Sequence, residues 1–188
     1  MSQPSVQGHD DLILKSARGL LGFFRVAVII AGLAAIIALP MLVIFSQEIL
    51  AELGNAYVES PPTEVLWAMA GVILILMLIL LLSYFTIDRL RKVVASVRDG
   101  DPFIRINGVR LRGMGIAMLA IQVLTLALGA VVGLIIRFLG EMKDGREDSL
   151  HMDFGLSLSG ILMVLLLIIL ARVFDRGAEM REELDGTI

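Results

Sequence analysis

The chain has 188 residues, 57% of them hydrophobic, with two histidines, no cysteine and a formal net charge of −3. Its mean hydropathy is +0.88, whereas a soluble domain would be only about 45–50% apolar. The missing cysteine excludes disulfides and thiolate metal sites, two histidines leave any zinc site to carboxylates, and the small net charge gives direct nucleic-acid binding no footing.

The apolar excess sits in four charge-free runs. Ahead of the first, Asp10 and Asp11 are placed to start a helix. Leu12, Ile13, Ala17, Leu20, Leu21 and Phe24 then recur at helical spacing, with Lys15, Arg18 and Arg25 among them. This pattern predicts a short helix lying at the membrane interface before the chain turns into the bilayer.

The first run, Val26–Gln47, has 22 residues. It exceeds the roughly 7–15 residues of a signal-peptide core, and no small-x-small cleavage site follows Pro40, so retention as a helix is expected. Pro40 should kink it. The segment that follows, Glu48 to Glu64, carries Glu48, Glu52, Glu59 and Glu64 but no Lys or Arg.

The second run is Val65–Ile87, 23 residues long. Its apolar period continues through Leu90, Val93, Val94 and Val97, which predicts a helix projecting about three turns past the membrane. Gly100 is placed to stop that helix, and Pro102 forbids continuation. Asn107-Gly108 reads as a turn, with Asn107 placed to cap the third helix.

The third run, Gly113–Ile136, has 24 residues and contains Gln122 and Thr125. Gln122 is expected to be interhelical glue, although a transporter would use it as a substrate contact. Small residues pair at four-residue spacing in Ala31/Ala35, Gly129/Gly133 and Gly155/Ser159. Gly129-x-x-x-Gly133 is the sharpest of these and should seat a neighbouring helix of the same bundle, with homodimerisation as the alternative. The next loop is acidic again, at Glu141, Asp144, Glu147, Asp148 and Asp153. Without the ligand spacing of an EF-hand, these carboxylates read as solubilising charge rather than a cation sensor.

The fourth run, Phe154–Ala171, has 18 residues. Beyond it Val173, Gly177, Met180 and Leu184 form a stripe at i, i+4, i+7 and i+11. The connector 88–112 holds seven basic and three acidic residues, and the tail 172–188 holds three basic and five acidic. Opposite net charges predict that a tail helix packs on the connector helix, forming a small cytoplasmic platform.

A bilayer core takes roughly 20 apolar residues, with a range of about 17–25, so all four runs qualify. The expected fold class is an all-α membrane protein: a four-transmembrane-helix bundle with short cytoplasmic helical extensions, residues 1–188 forming one integral membrane domain. The N-terminal segment, connector and tail hold 13 of the 16 Lys and Arg residues. The positive-inside rule therefore places both termini in the cytoplasm.

Nothing reads as an enzyme. Ser157 and Ser159 in Leu-Ser-Leu-Ser-Gly have only His151 nearby as a base, and structural serines are the better reading. There is no paired intramembrane Asp, no phosphate-cradling glycine loop and no HExxH, so no cofactor is expected. No charged residue or histidine lies inside any run, which weighs against a pump or secondary transporter.

Two stretches carry a resemblance. Arg98-Asp-Gly100-Asp-Pro102-Phe103, followed by Asn107 and Leu111-Arg112, resembles the GxPF…N…LR stretch of the YoaS-like bacterial membrane proteins, the family of domain of unknown function 2975. Ala171-Arg-Val-Phe174-Asp-Arg-Gly177, then Glu183-Leu-Asp-Gly-Thr187-Ile188, resembles that family's ending, with Gly186 where the family usually has Leu. The resemblance implies a bacterial inner-membrane protein of no established activity, with a small cytoplasmic helix-turn-helix transcription regulator as its implied partner. It marks Gly100, Pro102, Phe103, Asn107, Arg112, Phe174, Gly177, Glu183 and Thr187 as candidate partner-binding residues. The expected function is a non-enzymatic membrane regulator or scaffold. The alternative is a small channel, transporter or lipid-binding protein working as a dimer.

Overall fold

The computed structural model describes residues 5–57, 61–140 and 155–185, with side chains from Ser16 onward in the first helix. Five helices make up the described residues: α1 Ser5–Ile44, α2 Ser46–Ala56, α3 Glu64–Arg98, α4 Arg105–Leu139 and α5 Leu158–Asp185. The stretches Ser16–Ile44, Glu64–Arg98, Arg105–Leu139 and Leu158–Leu184 are each long and apolar enough to cross a membrane. Within their most apolar windows at most 6% is buried against protein. Side chains such as Ile30, Leu33, Leu81, Leu162 and Leu166 thus present apolar surface on a scale that water does not tolerate and lipid does. The chain is built as a multi-pass membrane protein.

Helix boundaries follow local chemistry. At the end of α3, Gly100 adopts φ +83°. Its N–H bonds the carbonyl of Val97 at 3.2 Å, and the Asp101 N–H bonds that of Ser96 at 3.0 Å. That pair of bonds is a Schellman closure, which favours glycine because a Cβ is strained at positive φ. At the end of α4, Gly140 has φ +69° and bonds the Ile136 carbonyl at 3.2 Å, the simpler left-handed cap. As expected, α3 runs to Arg98, about three turns past Ile87.

Three expectations are corrected. The predicted interfacial helix and the first span are one continuous helix: α1 runs from Ser5 to Ile44, with Asp10 and Asp11 inside it rather than at its start. No proline stands between Ser5 and the first run, and Gly19 and Gly22 weaken a helix without ending it. Pro40 lies within α1, which ends at Ile44, and Phe45 at φ −95°, ψ 18° separates it from α2. The first run, read to Gln47, therefore ends as a spanning helix at Ile44, and the eleven-residue α2 takes up its last two residues and the start of the acidic segment. Asn107-Gly108 is not a turn, because α4 starts at Arg105 and both residues lie in its first turn. The acidic residues Glu141 to Asp153 and His151 lie outside the described residues.

By packing, the chain divides into two compact units, one of Met1–Ile29, Leu82–Ala120 and Leu158–Ile188, the other of Ile30–Leu81 and Ile121–Ser157. The first centres on buried Leu111, Met114 and Ala171, with Leu167, Leu170 and Phe174 packed against them. It also contains Gly115, where a Cβ would meet Ile168 at 3.5 Å and Leu167 at 3.6 Å, so α4 and α5 approach closely there. In the second, Leu42, Val65 and Leu139 are buried. There the Gln122 side chain donates to the Ser157 carbonyl at 3.1 Å and accepts from the Ser157 N–H at 3.3 Å. Gln122 is therefore interhelical glue, satisfying backbone just ahead of α5. A Cβ on Gly133 would meet nothing within 4 Å among the described residues, so the sharpest small-residue pair does not seat a neighbour at that position.

Candidate functional site

The residues singled out in the connector and tail converge within the first unit, on the loop between α3 and α4 and the face of α5 beside it. Asn107 is the node, fully buried at 0% exposure. Its Nδ2 donates to Ser96 Oγ at 2.6 Å and to the Pro102 carbonyl at 2.9 Å, and its Oδ1 accepts from Arg110 at 2.9 Å. Ser96 Oγ in turn donates to the Val93 carbonyl at 2.8 Å. One amide thus ties the last turn of α3, the loop and the first turn of α4, with both its donors and its acceptor used. Asn107 does not act as an N-cap: its own N–H bonds the Ile104 carbonyl at 2.9 Å while its side chain reaches across elements.

Two arginines reinforce the α3–α4 seam. Arg89 donates to the Val109 carbonyl at 3.3 Å and lies over the Phe85 ring at 4.0 Å. A Cβ on Gly113 would stand only 2.8 Å from Arg89 Cζ, so glycine there is what lets the guanidinium lie against α4. Arg110 also reaches the Lys92 carbonyl at 3.4 Å.

The tail then closes on the loop. Phe103 and Phe174 pack ring to ring with centroids 5.4 Å apart. Gly177 lies directly under Phe103, where a Cβ would sit 2.9 Å from Cε1. Arg112 pairs with Asp175, and Arg181 pairs with Asp101. Asp175 also presses on α4 at Gly108, where a Cβ would stand 2.8 Å from its Cγ and 3.3 Å from the Ala171 carbonyl.

Gly100, Pro102, Phe103, Asn107, Arg112, Phe174 and Gly177 are thus parts of one arrangement. Glu183 is exposed near the end of α5, and Thr187 lies outside the described residues. The tail packs on the loop and α4 rather than on the connector helix that was expected, and of the predicted stripe Gly177 alone faces that contact. Val173, Met180 and Leu184 are exposed, while Ala171, Phe174, Asp175 and Ala178 turn inward, with Phe174 against the loop and Asp175 against α4. Hydropathy gives this face little signal, because Phe174 is its one large apolar member beside two alanines, a glycine and an aspartate. Ser96 was missed altogether, since a serine between Ala95 and Val97 gives no sign of a partner eleven residues on.

An all-helical chain with four membrane-length helices and a loop clamped between two of their extensions defines a small multi-pass membrane protein. The family model described as "Protein of unknown function (DUF2975)" matches residues 24–188, and the chain belongs to that family. No curated protein and no solved structure matches it.

Proposed function

We propose that this is a non-enzymatic regulator or scaffold of the bacterial cytoplasmic membrane. Both termini face the cytoplasm, and a soluble helix-turn-helix transcription regulator is held at the face built by the loop and α5. The observation that carries the reading is apolar surface on a rigidly held element outside the charge-free runs: Met180 is 59% and Leu184 71% exposed, on the same helix that the loop clamps. A rigid helix showing separated apolar anchors among charges is the form in which a partner helix or groove is engaged at low entropic cost. Val97 and Ile106, 40% and 49% exposed, add anchors on α3 and α4. The orientation rests on the 13 basic residues of the termini and connector. The partner class rests on the family resemblance. The channel or transporter alternative rests on the glycine-rich third run and lacks intramembrane charge, and Gln122, the residue a transporter would use, bonds Ser157.

The test is gentle-detergent purification of the full chain from its native cells, comparing the natural sequence with Met180→Glu/Leu184→Glu. Co-purification of a helix-turn-helix protein with the natural sequence alone supports the reading. A clean preparation of both, or equal recovery in both, overturns it.

A further inference from the structure

A second site lies apart from the loop–tail clamp, also within the first unit. Arg18, Leu21 and Arg25 of α1 and Asp88, Arg91, Lys92, Val94 and Ala95 of α3 line an open cavity of about 310 Å³. Four of these residues are cationic and one is anionic, leaving three positive charges in excess. Asp88 is already engaged by Lys92 at 2.6 Å. Arg25 is braced, donating to the Tyr84 hydroxyl at 2.7 Å with its guanidinium 5.2 Å from the centre of that ring, which leaves its other N–H groups to aim elsewhere. Neither Arg18 nor Arg91 is in an ion pair among the described residues. Cations gathered around a concavity with so little counter-charge repel one another unless an anion enters.

The depth of the cavity identifies the anion. Arg25 is the last charged residue before the first apolar run, and Asp88 is the first after the second. Both therefore stand where hydrocarbon gives way to headgroups. Arg18 lies seven residues further out along α1, about 10 Å at ~1.5 Å per residue, which is within the thickness of the headgroup layer. Leu21, Val94 and Ala95 give the cavity an apolar wall. On the adjoining turn of α1, Val26 and Ile29 are 55% and 43% exposed, open to an acyl chain. Basic pockets between membrane helices at this depth suit the phosphates of anionic lipids, and guanidinium forks pair with phosphate oxygens two at a time.

The geometry points to this cavity as a binding site for the phosphate group of an anionic phospholipid, held by Arg18, Arg25 and Arg91 with its acyl chains along α1. A free phosphate or soluble phosphomonoester shares the recognition chemistry but has no use for the apolar wall or for a site at the hydrocarbon edge. The site is independent of the partner reading above.

The test uses the full chain, purified and exchanged into neutral phosphatidylcholine nanodiscs, with cardiolipin or phosphatidylglycerol titrated in and bound lipid read by native mass spectrometry. The natural sequence should retain the anionic lipids at least tenfold over added phosphatidylcholine. Arg18→Gln/Arg91→Gln should lose that preference, while Arg18→Lys/Arg91→Lys keeps most of it and Arg176→Gln, an exposed cation elsewhere, keeps all of it. Absence of selectivity in the natural sequence overturns the assignment without reference to any variant. So does undiminished selectivity in the Gln variant. Glycerol 1-phosphate displacing the lipid at equal phosphate concentration would overturn the lipid in favour of a soluble ligand.

Discussion

Asn107 Nδ2 lies 2.6 Å from Ser96 Oγ, joining two buried side chains eleven residues apart across the only loop between α3 and α4. The bond fixes where α4 starts relative to the end of α3, and so where the intervening Asp101 and Phe103 are presented to the tail. Asn107→Ala would strand the Pro102 carbonyl and leave Arg110 without its side-chain acceptor. The expected loss is about 1–3 kcal/mol, read as a lower thermal midpoint in detergent, together with faster tryptic cutting at Arg98 and Arg105. Asn107→Asp should be at least as damaging, since a carboxylate supplies neither donor. Unchanged cutting in both variants would contradict the role given to the amide.

The glycines of α4 and α5 separate by what a methyl group would meet. Gly108→Ala drives a Cβ into Asp175 and Gly177→Ala drives one into the Phe103 ring, so each should destabilise by roughly 1–3 kcal/mol. Gly115→Ala meets neighbours no closer than 3.5 Å and relieves a helical glycine, so it should be neutral or stabilising by up to about 1 kcal/mol. Thermal midpoints of the three variants side by side check the order.

The Arg112–Asp175 pair is partly open to water, with side chains 56% and 27% exposed. Its net worth is accordingly about 0.2–1 kcal/mol and should fall with added salt. Arg112→Asp should loosen the tail more than Arg112→Ala, because like charges then face each other. The exchanged pair Arg112→Asp/Asp175→Arg should recover much of the loss. A double-mutant cycle on protease protection of α5 measures this.

Gln122→Leu removes both bonds to Ser157 and leaves its N–H and carbonyl without that partner ahead of α5. In a lipid setting such bonds contribute about 0.6–2 kcal/mol. The variant should unfold earlier in a detergent titration by that amount, with no change in lipid selectivity at the basic cavity.

Much of this architecture is legible in the residues, and what is not has a physical reason. Four charge-free runs declare the spans, because lipid demands apolar length and nothing else in a chain this size would. Gly100 and Pro102 end α3 where backbone chemistry says they must. The opening of α1 was misread because an amphipathic helix that lies on a membrane and one that leads straight into it share the same periodicity. The inward face of α5 is only partly legible, through Phe174 and Gly177, because Ala171 and Ala178 achieve close approach by being small, which no hydrophobic pattern records. Asn107 drew attention as a cap or turn former, yet its partners, Ser96 and the Pro102 carbonyl, exist only once the loop has folded.

The proposed function requires that the clamped loop and α5 present a face to a soluble cytoplasmic partner. A photo-crosslinking amino acid placed at Met180 in living native cells, with Asn107 as a buried control, tests this most directly. The expected result is a covalent adduct with a soluble helix-turn-helix protein from position 180 and none from position 107. Adducts from position 180 with lipid or with a second copy of the chain alone would contradict it.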